Sequence, residues 1–269
     1  MSEPSLLREL TADGVLVLTL NRPETMNALT GDISQGIQAA AVESKTNDAI
    51  RAIVITGNGR GFCAGADLSG GGPARRNGGE PAAVKRSTFT DRVGPAPMVM
   101  ALADADVPII GAINGAAAGA GFGLALCCDI RIASEQARMG TIFLKRGLAT
   151  DYGTSYWLPR IVGIAKAYEL LYTGDILNAE QLLDVGLVNR VVPHDKLMEE
   201  TMAFARRIAS GPPLAYTYVR RNAARSLDQG LAPNLELEWS HQKELLRTGD
   251  AAEGFRAFLE SRQPVFTGS

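Results

Sequence analysis

The spacing of hydrophobic and polar residues changes repeatedly along the chain, and each change marks an element. "SLLREL" (5–10) and "GVLVLTL" (14–20) are apolar runs joined through "TADG", and an Asp-Gly between such runs predicts a β-hairpin. "NRPETMNAL" leaves the second strand as a loop. Thr30 then precedes a stretch in which Ile33 and Ile37 share one face, which predicts a capped helix through about Lys45. "RAIVIT" (51–56) is continuous and β-branched, as a buried strand is. The pattern next predicts a helix near 84–104, a strand at "VPIIGAI" (107–113), a helix ending at Cys128 and a strand at "DIRIAS" (129–134). Asn178 with Gln181 three residues later makes a capping box for a short helix that Gly186 ends. "LVNRVV" (187–192) is the last strand. After Pro193 the period is helical to the end, with Asp250 and Glu253 as a second capping box.

Strand, loop and helix alternate, so the fold class is α/β. The core is expected over 1–197, with a helical region over 198–269. No internal sequence repeat is visible. The segment 57–83 has no periodicity, and its second half is rich in Gly, Pro and Arg, as a surface loop over a functional region is.

Composition narrows the function. The 269 residues are 46% hydrophobic, enough for one large core. A net charge of -2 provides no field for nucleic acid or an anionic membrane, so neither is an expected partner. The three cysteines include the adjacent Cys127 and Cys128, and there are only two histidines, so no metal-ligand spacing exists. Reduced thiols and a cytoplasmic location are expected. "MSEPSLLREL" has neither the basic nor the apolar region of a secretory signal. The apolar run 107–128 is interrupted by glycines and Asn114 and closed by Asp129, which favours a strand and a buried helix over a membrane span. His194 and His241 read as surface histidines.

Several nucleotide and hydrolase signatures are missing. "GNGRG" (57–61) lacks the Gly-Lys-Ser/Thr ending of a P-loop. The second glycine stretch has the wrong spacing and the wrong place in the chain for a dinucleotide fingerprint. No GxSxG nucleophile elbow is present. What remains is "FCAGADL" (62–68) and "GAAAGAG" (115–121), two loops of small residues, each following a strand. A glycine inside an element costs about 0.5–1 kcal/mol relative to alanine. Gly115, Gly119, Gly121 and Gly123 therefore need a reason. Close packing of strand on helix is one. The other is an oxyanion hole, made by unpaired N–H groups at a helix N-terminus. The residues alone leave both open.

At these motifs the sequence resembles the crotonase superfamily, also called the enoyl-CoA hydratase/isomerase family. "NRPETMNAL", "GRGFCAGADL", "PIIGAINGAAAGAGFGLALCCDIRIAS", "YELLYTGDILNAEQLLDVGLVNRVV" and "FLESRQPVF" match it in order across nearly the whole chain. The resemblance implies a spiral of β-β-α turns with a C-terminal helical trimerisation region. It also implies an acyl-CoA thioester substrate, no separate cofactor, and a homotrimer or dimer of trimers. Carried over residue by residue, it makes the N–H groups of Ala66 and Ala120 the oxyanion hole. Ala28, Ala64, Ala66, Asp67, Leu68, Gly119 and Ala120 then line the substrate.

The family's hydratases use two glutamates, which belong where this chain has Gly123 and Phe143. Both are absent. A position used as acid and base by dienoyl-CoA and phenylacetyl-pathway isomerases does match, at Asp151 in "GLATDYGTSYWLPR". The expected function is therefore an acyl-CoA isomerase with Asp151 as proton shuttle. An enoyl-CoA hydratase and a non-catalytic acyl-CoA-binding homologue are the alternatives. Asp151 can also be read as the N-cap of a helix starting there.

Overall fold

In the computed structural model, residues 3–67 and 94–269 are described. The loop 69–83 and the first part of the helix expected near 84–104 lie outside them, as does Leu68. The hairpin forms as its pattern predicts: β1 (Leu6–Leu10) pairs antiparallel with β2 (Val15–Leu20), from Leu6 opposite Leu20 to Leu10 opposite Leu16. Gly14, with φ +81°, turns the chain between them. Helix α1 (Gly31–Glu43) is capped by Thr30, whose Oγ1 accepts the Ile33 N–H.

The chain then repeats one manoeuvre. A first strand enters a large sheet and a second enters a small one: β3 (Ala52–Gly57) with β4 (Gly61–Cys63), β5 (Ile109–Ile113) with β6 (Ala116–Ala118), and β7 (Ile130–Ser134) with β8 (Arg138–Gly140). Helices α2 (Ala96–Ala103), α3 (Ala120–Leu126) and α4 (Thr154–Val162) follow in turn. After α5 (Ile164–Thr173) come β9 (Ile176–Asn178), α6 (Ala179–Asp184) and β10 (Arg190–Val192). The large sheet runs β1-β2-β3-β5-β7-β10, parallel from β2 onwards, and the small sheet runs β4-β6-β8-β9. The repeat is one of topology, not of sequence, and it is the expected spiral of β-β-α turns.

Alternation within the strands divides the core into two layers. Leu16, Leu18, Ile53, Ile55 and Ile109 face α1–α3. Val15, Val54, Ile110 and Ile132 face the other way, onto Leu197, Ala205 and Ala209 of α7 (Leu197–Ala209). Three helices complete the chain: α8 (Pro213–Ser226), α9 (Leu231–Leu245) and α10 (Gly249–Leu259).

The structure departs from the pattern in two places. Strands β4, β6 and β8 are three residues each, too short to impose a period, and β6 interrupts what the sequence predicts as one helix to Cys128. The second capping box is also misplaced. Thr248, in extended backbone, caps α10 by accepting the Ala251 N–H at 3.1 Å. Asp250 is already inside the helix, and its carboxylate accepts the N–H groups of Thr267 and Gly268, while Glu253 pairs with Arg262. The box at Asn178 and Gln181 forms as predicted, with reciprocal bonds of 3.0 and 2.9 Å. All three cysteines are buried and free. Among the described residues no helix is long and apolar enough to cross a membrane.

Candidate active site

Glycine is required here for more than one physical reason. A Cβ on Gly115 would stand 2.1 Å from the Arg60 carbonyl oxygen, and one on Gly121 would stand 2.0 Å from that of Cys63. Backbone therefore lies directly on backbone where the 115–121 stretch crosses β4, and no side chain fits between. Gly119 is different. A Cβ there would meet only side-chain atoms of Ile142 and Phe143, at 3.7–4.0 Å, but its φ of +54° favours glycine.

These contacts bring two loops together. Gly65, with φ +113°, lies so close to the other loop that a Cβ on it would be 3.0 Å from the Ala118 oxygen and 3.6 Å from the Ala120 nitrogen. Ala120 is the first residue of α3, so its N–H has no partner within the helix. Ala66 forms a parallel bridge with Leu29: the Leu29 N–H donates to Gly65 at 2.8 Å and the Asp67 N–H donates to Leu29 at 2.9 Å. In such a bridge the central residue's own N–H faces away from its partner. Among the described residues, neither the Ala66 nor the Ala120 N–H donates a hydrogen bond. Ala66 is exposed, Ala120 is buried, and the intervening Gly65 joins their loops. Two free donors on adjoining backbones can polarise one oxygen.

Ala28, Ala64 and Asp67 stand around this pair. The Ala64 N–H donates to Met26 at 2.9 Å, and the Ala28 carbonyl accepts from Arg22 at 3.0 Å. The same guanidinium nitrogen lies 2.6 Å from the Asp67 carboxylate, so the pair braces the Asp67 loop against the loop that carries Arg22 and Ala28. Two buried asparagines that sequence reasoning missed complete the scaffold. Asn27, left-handed at φ +57°, accepts the Arg22 N–H and donates to the carbonyls of Asn58 and Gly61. Asn114 accepts the Gly57 N–H and donates to Gly59 and Gly61. An asparagine closing the apolar run 107–113 was the available signal for the second; nothing in the sequence marks the first.

The two glutamate positions are filled in different ways. Phe143 is buried, with its ring edge against Gly119. A Cβ on Gly123 would meet the Tyr152 Cβ at 2.5 Å and its carbonyl oxygen at 3.0 Å, so no side chain can leave the helix there. The turn occupying that space includes Asp151. The carboxyl is not a helix cap: the cap position of α4 is Gly153, and the Thr154 N–H goes to the Asp151 backbone carbonyl at 3.0 Å. Asp151 is solvent-exposed, yet the protein mass around it raises its pKa, against a smaller opposing effect of its own backbone N–H. Burial, and next the Asp151 charge, push the neighbouring Tyr152 up to about 12. The Thr154 hydroxyl is buried and has no hydrogen-bond partner among the described residues.

The histidines are elsewhere and are half-buried rather than bare surface. His194 Nδ1 lies 3.2 Å from the Ser134 hydroxyl, and His241 stacks on Tyr218. Among the described residues no group of three or more His, Cys, Asp or Glu side chains is placed to hold a metal ion.

Comparison with known proteins shows which family the chain resembles. The family model described as enoyl-CoA hydratase/isomerase matches residues 11–269. A Rhodobacter capsulatus protein named "Probable enoyl-CoA hydratase" is 37% identical over 257 residues, covering 96% of each chain. The 1,2-epoxyphenylacetyl-CoA isomerase of Escherichia coli is 36% identical over 267 residues, covering 95% of each. A crystal structure of an enoyl-CoA hydratase from Bacillus anthracis superposes with a TM-score of 0.89 at 29% identity, over 99% of this chain and 100% of that one.

Proposed function

Because the chain belongs to the enoyl-CoA hydratase/isomerase family, we propose that it is an acyl-CoA isomerase, moving a double bond along an unsaturated thioester with Asp151 as the proton carrier. One observation carries the choice of isomerase over hydratase. The start of the first hydratase glutamate is filled by Tyr152, and the adjacent residue offers the carboxyl instead.

In this reading the thioester carbonyl oxygen accepts from the N–H groups of Ala66 and Ala120. The Asp151 carboxylate takes a proton from one carbon of the acyl chain, and the electron pair moves onto the carbonyl oxygen as an enolate. The protonated carboxyl, whose proton exchanges with solvent, returns a proton two carbons along, the electrons re-form the carbonyl, and the carboxylate ends as it began. Atoms and charge balance without water or a second acid. A raised pKa improves the base, because a carboxylate near its reference value of about 3.9 is weakly basic. Two positioned amide donors stabilise the enolate, and one such donor contributes about 2.7–4 kcal/mol in acyl transfer. Ala28, Ala64 and Asp67 lie along the coenzyme A portion and Gly119 beside the substrate; coenzyme A belongs to the substrate, and no further cofactor is invoked. A homotrimer or dimer of trimers is part of the same proposal.

Enoyl-CoA hydratase is the second reading, favoured by the names of several relatives. Product mass separates the two. Incubation with 3-enoyl- and 2-enoyl-CoA in deuterated solvent is expected to give isomers of unchanged bond count that carry deuterium. Hydration of the 2-enoyl thioester should be at least about a hundredfold slower, the lower end of what one positioned acid or base contributes. Efficient hydration that Asp151→Asn leaves undiminished overturns the assignment.

A further inference from the structure

We propose that Tyr152 is the positioning residue for Asp151, pinning the carboxyl-bearing turn onto the helix that begins with Ala120; the inference rests on the isomerase reading above. Tyr152 has φ +52°, a left-handed conformation rare for a bulky side chain, and Gly153 follows at φ +72°. Such a conformation is strained and persists only where the surroundings enforce it.

The surroundings here are specific. On one side, the Tyr152 Cβ and carbonyl oxygen lie where a Cβ on Gly123 would be, at 2.5 and 3.0 Å from that position. On the other, the ring packs against the main core cluster, with its phenol near Ser34 of α1 and Cys63 of β4. Tyr152 is thus wedged between α3 and the α1–β4 side of the site. Gly123 stands three residues beyond Ala120, about 4.5 Å along the helix axis. A turn fixed to Gly123 therefore holds the residue next to Asp151 against the same helix that begins with Ala120. The bare Gly123 and the strained Tyr152 act as one device: the first makes room, the second fills it and aims its neighbour.

This assigns the anchoring to the Cβ and the apolar body of the ring, not to the hydroxyl. Tyr152→Phe and Tyr152→Leu are expected to keep kcat within about twofold. Tyr152→Gly adopts the same backbone without strain but loses the wedge, and its kcat should fall at least about tenfold while KM stays within about twofold, since small misplacements of a reacting group cost up to about a hundredfold. Gly123→Ala pushes the same turn away from the helix and should show the same split between kcat and KM. A Tyr152→Gly enzyme with wild-type kcat overturns the inference, as does a Phe variant as impaired as the Gly variant. Should Tyr152→Gly not fold, Tyr152→Leu decides: a tenfold loss of kcat in a folded Leu variant counts against the wedge. An active Asp151→Asn enzyme sinks the isomerase reading instead, so the two failures are distinguishable.

Discussion

Asn27 and Asn114 meet at one acceptor: their side-chain amides donate to the Gly61 carbonyl at 2.7 and 3.1 Å. One comes from the loop after β2 and the other from the end of β5, and together they hold the chain that enters β4. Removing Asn27 strands the Arg22 N–H and takes a donor from the Asn58 carbonyl, while the Gly61 carbonyl keeps its bond from Asn114. Each buried group left unpaired costs about 1–3 kcal/mol. Asn27→Ala is therefore expected to destabilise the fold by about 1–3 kcal/mol, read as a lower urea midpoint in chemical denaturation; an unchanged midpoint contradicts the bracing role.

Ala120→Pro should remove the oxyanion donor and leave the fold. Proline lacks the N–H, and the first turn of a helix tolerates its ring. A loss of about 2.7–4 kcal/mol of transition-state stabilisation corresponds to a 10²–10³-fold fall in kcat. Circular dichroism should match the wild type. Retained kcat in a folded variant would remove Ala120 from the site.

Activity is expected to fall on acidification at a higher pH than an ordinary carboxylate would give. In the proposed mechanism Asp151 acts as a carboxylate, and the protein mass around it raises its pKa. Stability runs in the opposite direction. A carboxyl with a raised folded-state pKa favours the folded state below its unfolded pKa, and this contribution is lost as pH rises through the folded value. At neutral pH the charged carboxylate is thus a net cost, so Asp151→Asn should be inactive with a Tm equal to or above wild type. A Tm clearly below wild type at pH 7, with recovery in acid, reverses the sign and refutes the argument.

The C-terminal helices leave apolar side chains uncovered within one chain. Phe258 and Leu259 of α10 are each 82% exposed, and Trp239 of α9 is 57% exposed. Burying a phenylalanine contributes about 1.5–3 kcal/mol. We expect a trimer or a multiple of three by light scattering, and Phe258→Arg should weaken it. A stable monomer at micromolar concentration would count against this assembly.

Much of the scaffold was legible because it rests on local rules. The Asp-Gly hairpin, the Thr30 and Asn178 caps and the β-branched run at 51–56 each need only a few neighbouring residues. The short strands β4, β6 and β8 were not legible, since their three residues are specified by pairing with distant chain. The glycines announced that something was close but not what: Gly121 meets a carbonyl, Gly119 needs a positive φ, and Gly123 yields to Tyr152. Asp250 misled because an acidic residue three before a glutamate looks the same whether it caps a helix or reaches across to Thr267. Tyr152 carried no signal at all, as a left-handed tyrosine is visible only in the backbone.

The alternation of strands between two sheets has a consequence in time. Ile53 pairs with Ile109, and Ile132 with Arg190, so neighbours in the large sheet are far apart along the chain. Each such pairing must close a long loop before any hydrogen bond offsets the lost entropy. Chains dominated by non-local pairs fold in milliseconds to seconds, not microseconds. The glycine crossings at 115 and 121 can engage only after β4 and β6 have met, so the loops proposed to form the oxyanion hole belong to the late phase of assembly. During refolding, the return of activity should lag behind the return of helical signal.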